Sequence, residues 1–79
     1  MEEMESFIHT LVSPLVSRPE DISVQMEETD EFYDYHLSVN PEDVGRVIGK
    51  KGRIAKAMRT ILYSIQIDAP KRIRLTIDD

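Results

Sequence analysis

Four residues, Gly49-Lys50-Lys51-Gly52, carry the strongest chemical signal in this 79-residue sequence. Glycine lacks a Cβ, so it admits positive φ and lets another chain approach the backbone closely. If a helix starts near the second glycine, its first N–H groups lack an intrahelical acceptor and its end carries partial positive charge. Such an end is a small anion site, well suited to phosphate. Lys50 and Lys51 set two ammonium groups over it. Arg46 lies one turn before, and Arg53, Lys56 and Arg59 follow, six cations within residues 46–59. A chain of phosphates fits this better than a single one. The spacing matches neither G-x-x-x-x-G-K-[ST] nor G-x-G-x-x-G, the two common nucleotide-phosphate motifs.

The charge around this turn runs against the rest of the chain. The formal net charge is −5, yet residues 1–43 hold one basic residue against twelve acidic ones, and residues 44–79 hold nine against three. Such asymmetry between halves points to an anionic partner for the second half only. There is no cysteine, which excludes a disulfide framework and a Cys-based zinc site. The start, MEEMESF, lacks the basic and apolar pattern of a signal peptide. No apolar run approaches the ~20 residues of a membrane span. The expectation is a soluble cytoplasmic protein, with residues 1–79 as a single domain. His36 and Asp34 share one face of a strand and His9 lies on a helix, but no triad order, paired carboxylate or metal-ligand spacing stands out. Neither an enzyme nor a metal or other cofactor is expected.

The elements that must position the turn follow from periodicity. Met4, Phe7, Ile8, Leu11, Val12, Leu15 and Val16 recur at helical spacing, with Pro14 kinking the helix or locally weakening its backbone ladder and Pro19 ending it. Ile22, Val24 and Met26 alternate with polar residues, as do Tyr33, Tyr35, Leu37 and Val39 after a polar turn at 28–30. Two such runs predict an antiparallel hairpin. Asn40-Pro41-Glu42-Asp43 reads as a helix start: a capping side chain, a proline at the first position and two acids at the positive end. That short helix stops at the glycine turn. A second runs from near Gly52 to about Gln66, and Asp68-Ala69-Pro70 breaks the chain. Ile73, Leu75 and Ile77 then form a third strand, with Arg72 and Arg74 on its other face opposite Glu27 or Asp34. The predicted order is α-β-β-α-α-β: a two-layer α+β domain, its three-stranded mixed sheet covered by three helices on one face and wet on the other.

At "DVGRVIGKKGR" followed by "AKAMRTIL" the sequence resembles the K-homology (KH) motif. There an Ile-Gly-x-x-Gly turn joins two helices and clamps about four nucleotides of single-stranded nucleic acid. The extra helix and strand precede the motif, which is similar to the type II, bacterial KH arrangement. The whole chain resembles the small single-KH bacterial RNA-binding proteins of the KhpA type. The resemblance implies phosphate clamping by Gly49, Lys50, Lys51 and Gly52. Val44, Val47 and Ile48, on the short helix, would shape the apolar side of the nucleotide groove or the core beneath it, and Gly45 and Arg46 between them would also bind RNA. Arg53 and Lys56 would flank the backbone path, and 67–70 would be a short variable loop. Two positions depart from the common pattern: Ala55 stands where many KH motifs carry a large aliphatic residue, and Ile54 where a polar one is frequent. With few aromatics near the turn, recognition would rest on charge, groove shape and base-edge hydrogen bonds.

The last helix is apolar over about 160°, against the ~100° stripe of an ordinary surface helix. Ala55, Met58 and Leu62 can face the sheet, leaving Ile54, Ala57 and Ile61 for the first helix to cover or for a second copy. The resemblance favours the copy, since the family forms homodimers and also pairs with a larger KH-containing protein of the Jag/KhpB type. It further implies roles as an RNA chaperone or post-transcriptional regulator, linked to cell division or envelope growth. Two other readings stand beside it. Residues 41–66 are two helices around a glycine turn, as in a DNA-binding helix-turn-helix, although the second helix lacks the broad polar face of a recognition helix. A protein-interaction module using the apolar edge alone is the third.

Overall fold

The computed structural model describes residues 2–65 and 70–78. The described elements are α1 (Glu2–Val12), β1 (Ser23–Glu28), β2 (Phe32–Ser38), α2 (Val44–Ile48), α3 (Arg53–Ile65) and β3 (Arg72–Ile77), in the predicted order. The expected chain break at 68–70 falls largely outside the described residues, as do the expected last turn at Gln66 and most of the variable loop at 67–70.

The sheet order is β1-β2-β3. β1 pairs antiparallel with β2, placing Val24 against Leu37 and Glu27 against Asp34. A two-residue loop, Asp30-Glu31, closes this hairpin; Thr29 N–H donates to Phe32 C=O at 2.8 Å, and Phe32 N–H to the Thr29 hydroxyl at 2.9 Å. β3 runs parallel to β2, Asp34 beside Arg74 and Tyr35 beside Leu75. A parallel partner requires a long crossover, and α2 and α3 supply it.

One face of the sheet carries the core. Met4, Ile8 and Val12 from α1 meet Tyr35 and Leu37 from β2, Val39 beyond its end, Ile73 and Leu75 from β3, Met58 and Leu62 from α3, and Val47 from α2. The spacings of four on the helices and two on the strands are the periods that keep side chains on one face. Leu37, Leu62, Val12 and Val47 are fully enclosed, so truncating Leu62 to alanine costs about 2–5 kcal/mol.

Two expectations need correction. The first helix does not continue through Pro14 with a kink. Its α-helical part ends at Val12, and Ser13–Leu15 form a separate 3₁₀ turn. Proline has no N–H to give the helical ladder, and its ring clashes with the preceding turn. The far face of the sheet is also not uniformly wet. Asp34, expected on a solvated face, is 4% exposed. Arg74 covers it, donating from Nη2 at 2.7 Å and Nε at 3.2 Å, and Thr76 donates its hydroxyl at 3.1 Å. The Arg74 guanidinium lies 4.4 Å from the Phe32 ring centroid. Asp34 sits on the middle strand, flanked on both sides, so the alternating pattern alone understates its burial.

Candidate nucleic-acid interface

α2 has five residues, too few to be stable by itself. Its surroundings hold it in place. Asn40 Oδ1 accepts from Glu42 N–H at 2.9 Å, capping the turn that leads into it, and Asn40 Nδ2 donates to Asp21 at 2.9 Å. Val47 is buried beneath it. Asp43, the residue just before the helix, makes no capping bond of its own. It turns instead toward the chain after α1. Its carboxylate accepts from Ser17 N–H at 3.1 Å, from the Ser17 hydroxyl at 3.0 Å and from Arg18 N–H at 3.2 Å. Asp43 is completely buried. The Ser17 N–H bond, with the Ser17 hydroxyl, the Arg18 N–H and the Arg46 charge behind it, holds its carboxyl below the usual carboxylate range, against the opposing effect of burial.

At the end of α2 the chain reverses through the glycine turn. Gly49 has φ +80° and Gly52 φ +73°. An added Cβ on Gly49 would lie 2.6 Å from Ile54 Cγ1 and 2.9 Å from the Ile54 backbone nitrogen, so glycine is needed there for space as well as for φ. At Gly52 only the backbone angle requires it. Lys51, between them, is also left-handed at φ +59°, ψ +26°, a conformation a lysine rarely adopts. Gly49 N–H donates to Gly45 C=O, Gly52 N–H to Gly49 C=O and Arg53 N–H to Lys50 C=O. Lys50 and Lys51 open the 3₁₀ turn at Lys50–Gly52, where the first N–H groups of a helix have no acceptor within it. The turn itself uses the Gly49, Gly52 and Arg53 amides.

The side chains follow the same division. Lys50, Lys51, Arg53 and Lys56 are exposed, and among the described residues none of them enters an ion pair. Arg46 is exposed but comes within 3.5 Å of Asp43. Arg59 is drawn away: its Nε donates to Leu75 C=O at 3.2 Å, against the open edge of β3. Four free cations therefore surround the turn, with a fifth tethered nearby. Val44 and Ile48 are half-buried beside it, whereas Val47 belongs wholly to the core, the second of the two places open to it. The three residues of the α3 edge separate as well. Ala57 and Ile61 are exposed; Ile54 is half-buried beneath Gly49 and against the core. Ile61, Tyr63 and Ile65 are the exposed large apolar residues among those described, and all lie on α3. The Asp43 tether was not legible beforehand, because Ser17 and Asp43 are 26 residues apart and nothing local links them.

An α-β-β-α-α-β domain with a mixed three-stranded sheet and a Gly-x-x-Gly turn between its two crossover helices is a type II KH fold. The sequence comparisons take this further. Residues 5–77 match the family model described as KhpA/KhpB, KH domain, and the chain belongs to that family. It is 53% identical to the "RNA-binding protein KhpA" of Lactiplantibacillus plantarum, over all of this chain and 93% of the relative. It is 54% identical to the protein of that name from Listeria monocytogenes, over 94% of this chain and 97% of the relative. The Bacillus subtilis protein of that name is 42% identical over 99% and 96%. No solved structure matches the chain.

Proposed function

We propose that residues 1–79 act as a single KH domain that binds single-stranded RNA at the Gly49–Gly52 turn. The observation that carries this reading is the set of four cations, Lys50, Lys51, Arg53 and Lys56, that have no ion-pair partner among the described residues and surround a turn that opens a 3₁₀ helix at the two lysines. Phosphate oxygens accept from the first N–H groups there while the ammonium groups neutralise the neighbouring phosphates. Val44, Gly45, Arg46 and Ile48 form the α2 wall of the path, and Gly49 and Gly52 let the sugar-phosphate chain come close. Backbone contacts of this kind fix register without reading sequence, so binding is tolerant of sequence. That the relatives are named RNA-binding proteins supports RNA as the ligand.

The test compares single-stranded RNA with duplex DNA in filter binding, for the wild type and Lys50→Asp/Lys51→Asp. Loss of RNA binding with an unchanged Tm is the expected result. Preference for duplex DNA would point to a helix-turn-helix, and binding to neither would leave an interaction module.

A homodimer through α3 is the second part of the reading, supported by the exposure of Ala57, Ile61 and Ile65 along that helix. Pairing two short sites raises effective affinity for one RNA without new contacts. The same face offers a docking place for a larger KH-containing protein, the family description spanning both KhpA and KhpB. A cytoplasmic role as an RNA chaperone or post-transcriptional regulator follows from sequence-tolerant binding; among the described residues no helix is long and apolar enough to cross a membrane.

A further inference from the structure

Asp43 occupies a position that looks like an ordinary helix cap and does something else. A capping aspartate stays near the surface and accepts from the N–H two or three residues on. Asp43 is fully buried and spends both carboxylate oxygens on Ser17 and Arg18, 26 and 25 residues away. No buried side-chain polar atom among the described residues lacks a partner, so the carboxylate is fully satisfied where it is. The two segments it joins are the chain leaving the 3₁₀ turn at Ser13–Leu15 and the turn Pro41–Asp43 that leads into α2.

From these hydrogen bonds we infer that Asp43 is a positioning residue for the phosphate-binding turn. The inference rests on the proposed RNA reading and deepens it. α2 is a single turn and a half of helix, and the glycine turn hangs from its far end. Whatever sets the start of α2 sets where Lys50 and Lys51 point. Asn40 caps the preceding turn from the surface, while Asp43 ties it to the body of the domain with several bonds to an ionised acceptor, a class stronger than neutral ones. Arg46 rides on the same anchor, its Nη1 at 3.5 Å from Asp43 Oδ1 and its side chain 62% exposed toward solvent. One buried carboxylate thus holds the helix start and, one turn on, the guanidinium of a cation beside the proposed RNA path. Asparagine at this position would have the same shape but would present an amide NH₂ to donors that already point inward, so α2 would shift or loosen.

The experiment uses the full chain and a short single-stranded RNA of mixed sequence. Binding is measured by fluorescence anisotropy at a temperature where circular dichroism shows each variant folded. Asp43→Asn is compared with Ile73→Val, a core change on β3 outside α2 and its tether. Asp43→Asn is expected to weaken RNA binding about tenfold, within the range one coupling residue exerts. It is also expected to speed amide hydrogen exchange at Lys50 and Lys51. Ile73→Val is expected to lower Tm and leave both readouts alone. Ser17→Ala, which removes one hydroxyl donor and keeps both backbone bonds, gives a smaller loss in the same direction and stands in if Asp43→Asn does not fold. Affinity within twofold of wild type for Asp43→Asn, or an equal loss for Ile73→Val, overturns the inference. Should the wild type bind no RNA, the underlying reading fails, and the exchange rates alone decide whether Asp43 sets the turn.

Discussion

Gly49 and Gly52 look equivalent in the motif and are not equivalent in the fold. Both have positive φ, but only Gly49 is crowded, by both the side chain and the backbone of Ile54. Gly52→Ala should therefore cost only the left-handed penalty, about 1–2 kcal/mol. That corresponds to a fall in Tm of roughly 4–8 °C per kcal/mol for a domain of this size. Gly49→Ala should cost more and should disrupt the turn even in an Ile54→Ala background, because the backbone nitrogen remains in the way; thermal melts of the three variants check this. Asp34 is one of two carboxylates expected to contribute to acid sensitivity. The hydrogen bond from Arg74 depresses its carboxyl, helped by Thr76 and resisted by burial. A depressed carboxyl stabilises the fold fully above the ordinary carboxylate value near ~4 and loses that contribution as pH falls through its lowered value. Asp43 acts in the same direction. Asp34→Asn should thus lower Tm at neutral pH, with the gap to wild type closing in strong acid, as melts across a pH series will show.

Among the elements, α3 has the most surface to account for. Its Ala55, Met58 and Leu62 face is buried, while Ile61 and Ile65 remain open at 40% and 52% exposure. A charge on that side should leave the fold intact and prevent a second copy from burying it. Ile61→Asp is expected to shift the light-scattering mass from dimer to monomer with little change in Tm. An unchanged mass, whether dimeric or monomeric, would count against α3 as the interface. The periodicity of α3 showed its breadth of apolar surface but not which edge the core would take. That depends on where α1 and the sheet lie, and Ile54 went inward because Gly49 leaves room for it.

On the scale of the whole molecule, the uneven charge of the chain becomes a division of labour. Asp34, Asp43 and Glu28 are occupied by Arg74, by Arg46 with the Ser17–Arg18 backbone, and by Lys71. Lys50, Lys51, Arg53 and Lys56 have no such partner among the described residues. If these four neutralise three or four phosphates, log K for single-stranded RNA should fall with log salt at a slope of roughly −2 to −3. Lys50→Asp/Lys51→Asp should flatten the slope by about 0.7 for each phosphate no longer neutralised, which binding titrations over a salt series will measure. The element order, the hairpin, the buried helix stripes and the position of the turn all follow from the sequence. Each is set by local chemistry: two periods of hydrophobicity, proline and glycine punctuation, and a run of like charge. Tertiary structure alone decided which charges stay free. The burial of Asp34 under Arg74, the capture of Arg59 by the Leu75 carbonyl and the long reach of Asp43 to Ser17 join residues far apart in the chain, and no local pattern encodes which partner a side chain meets once the layers close.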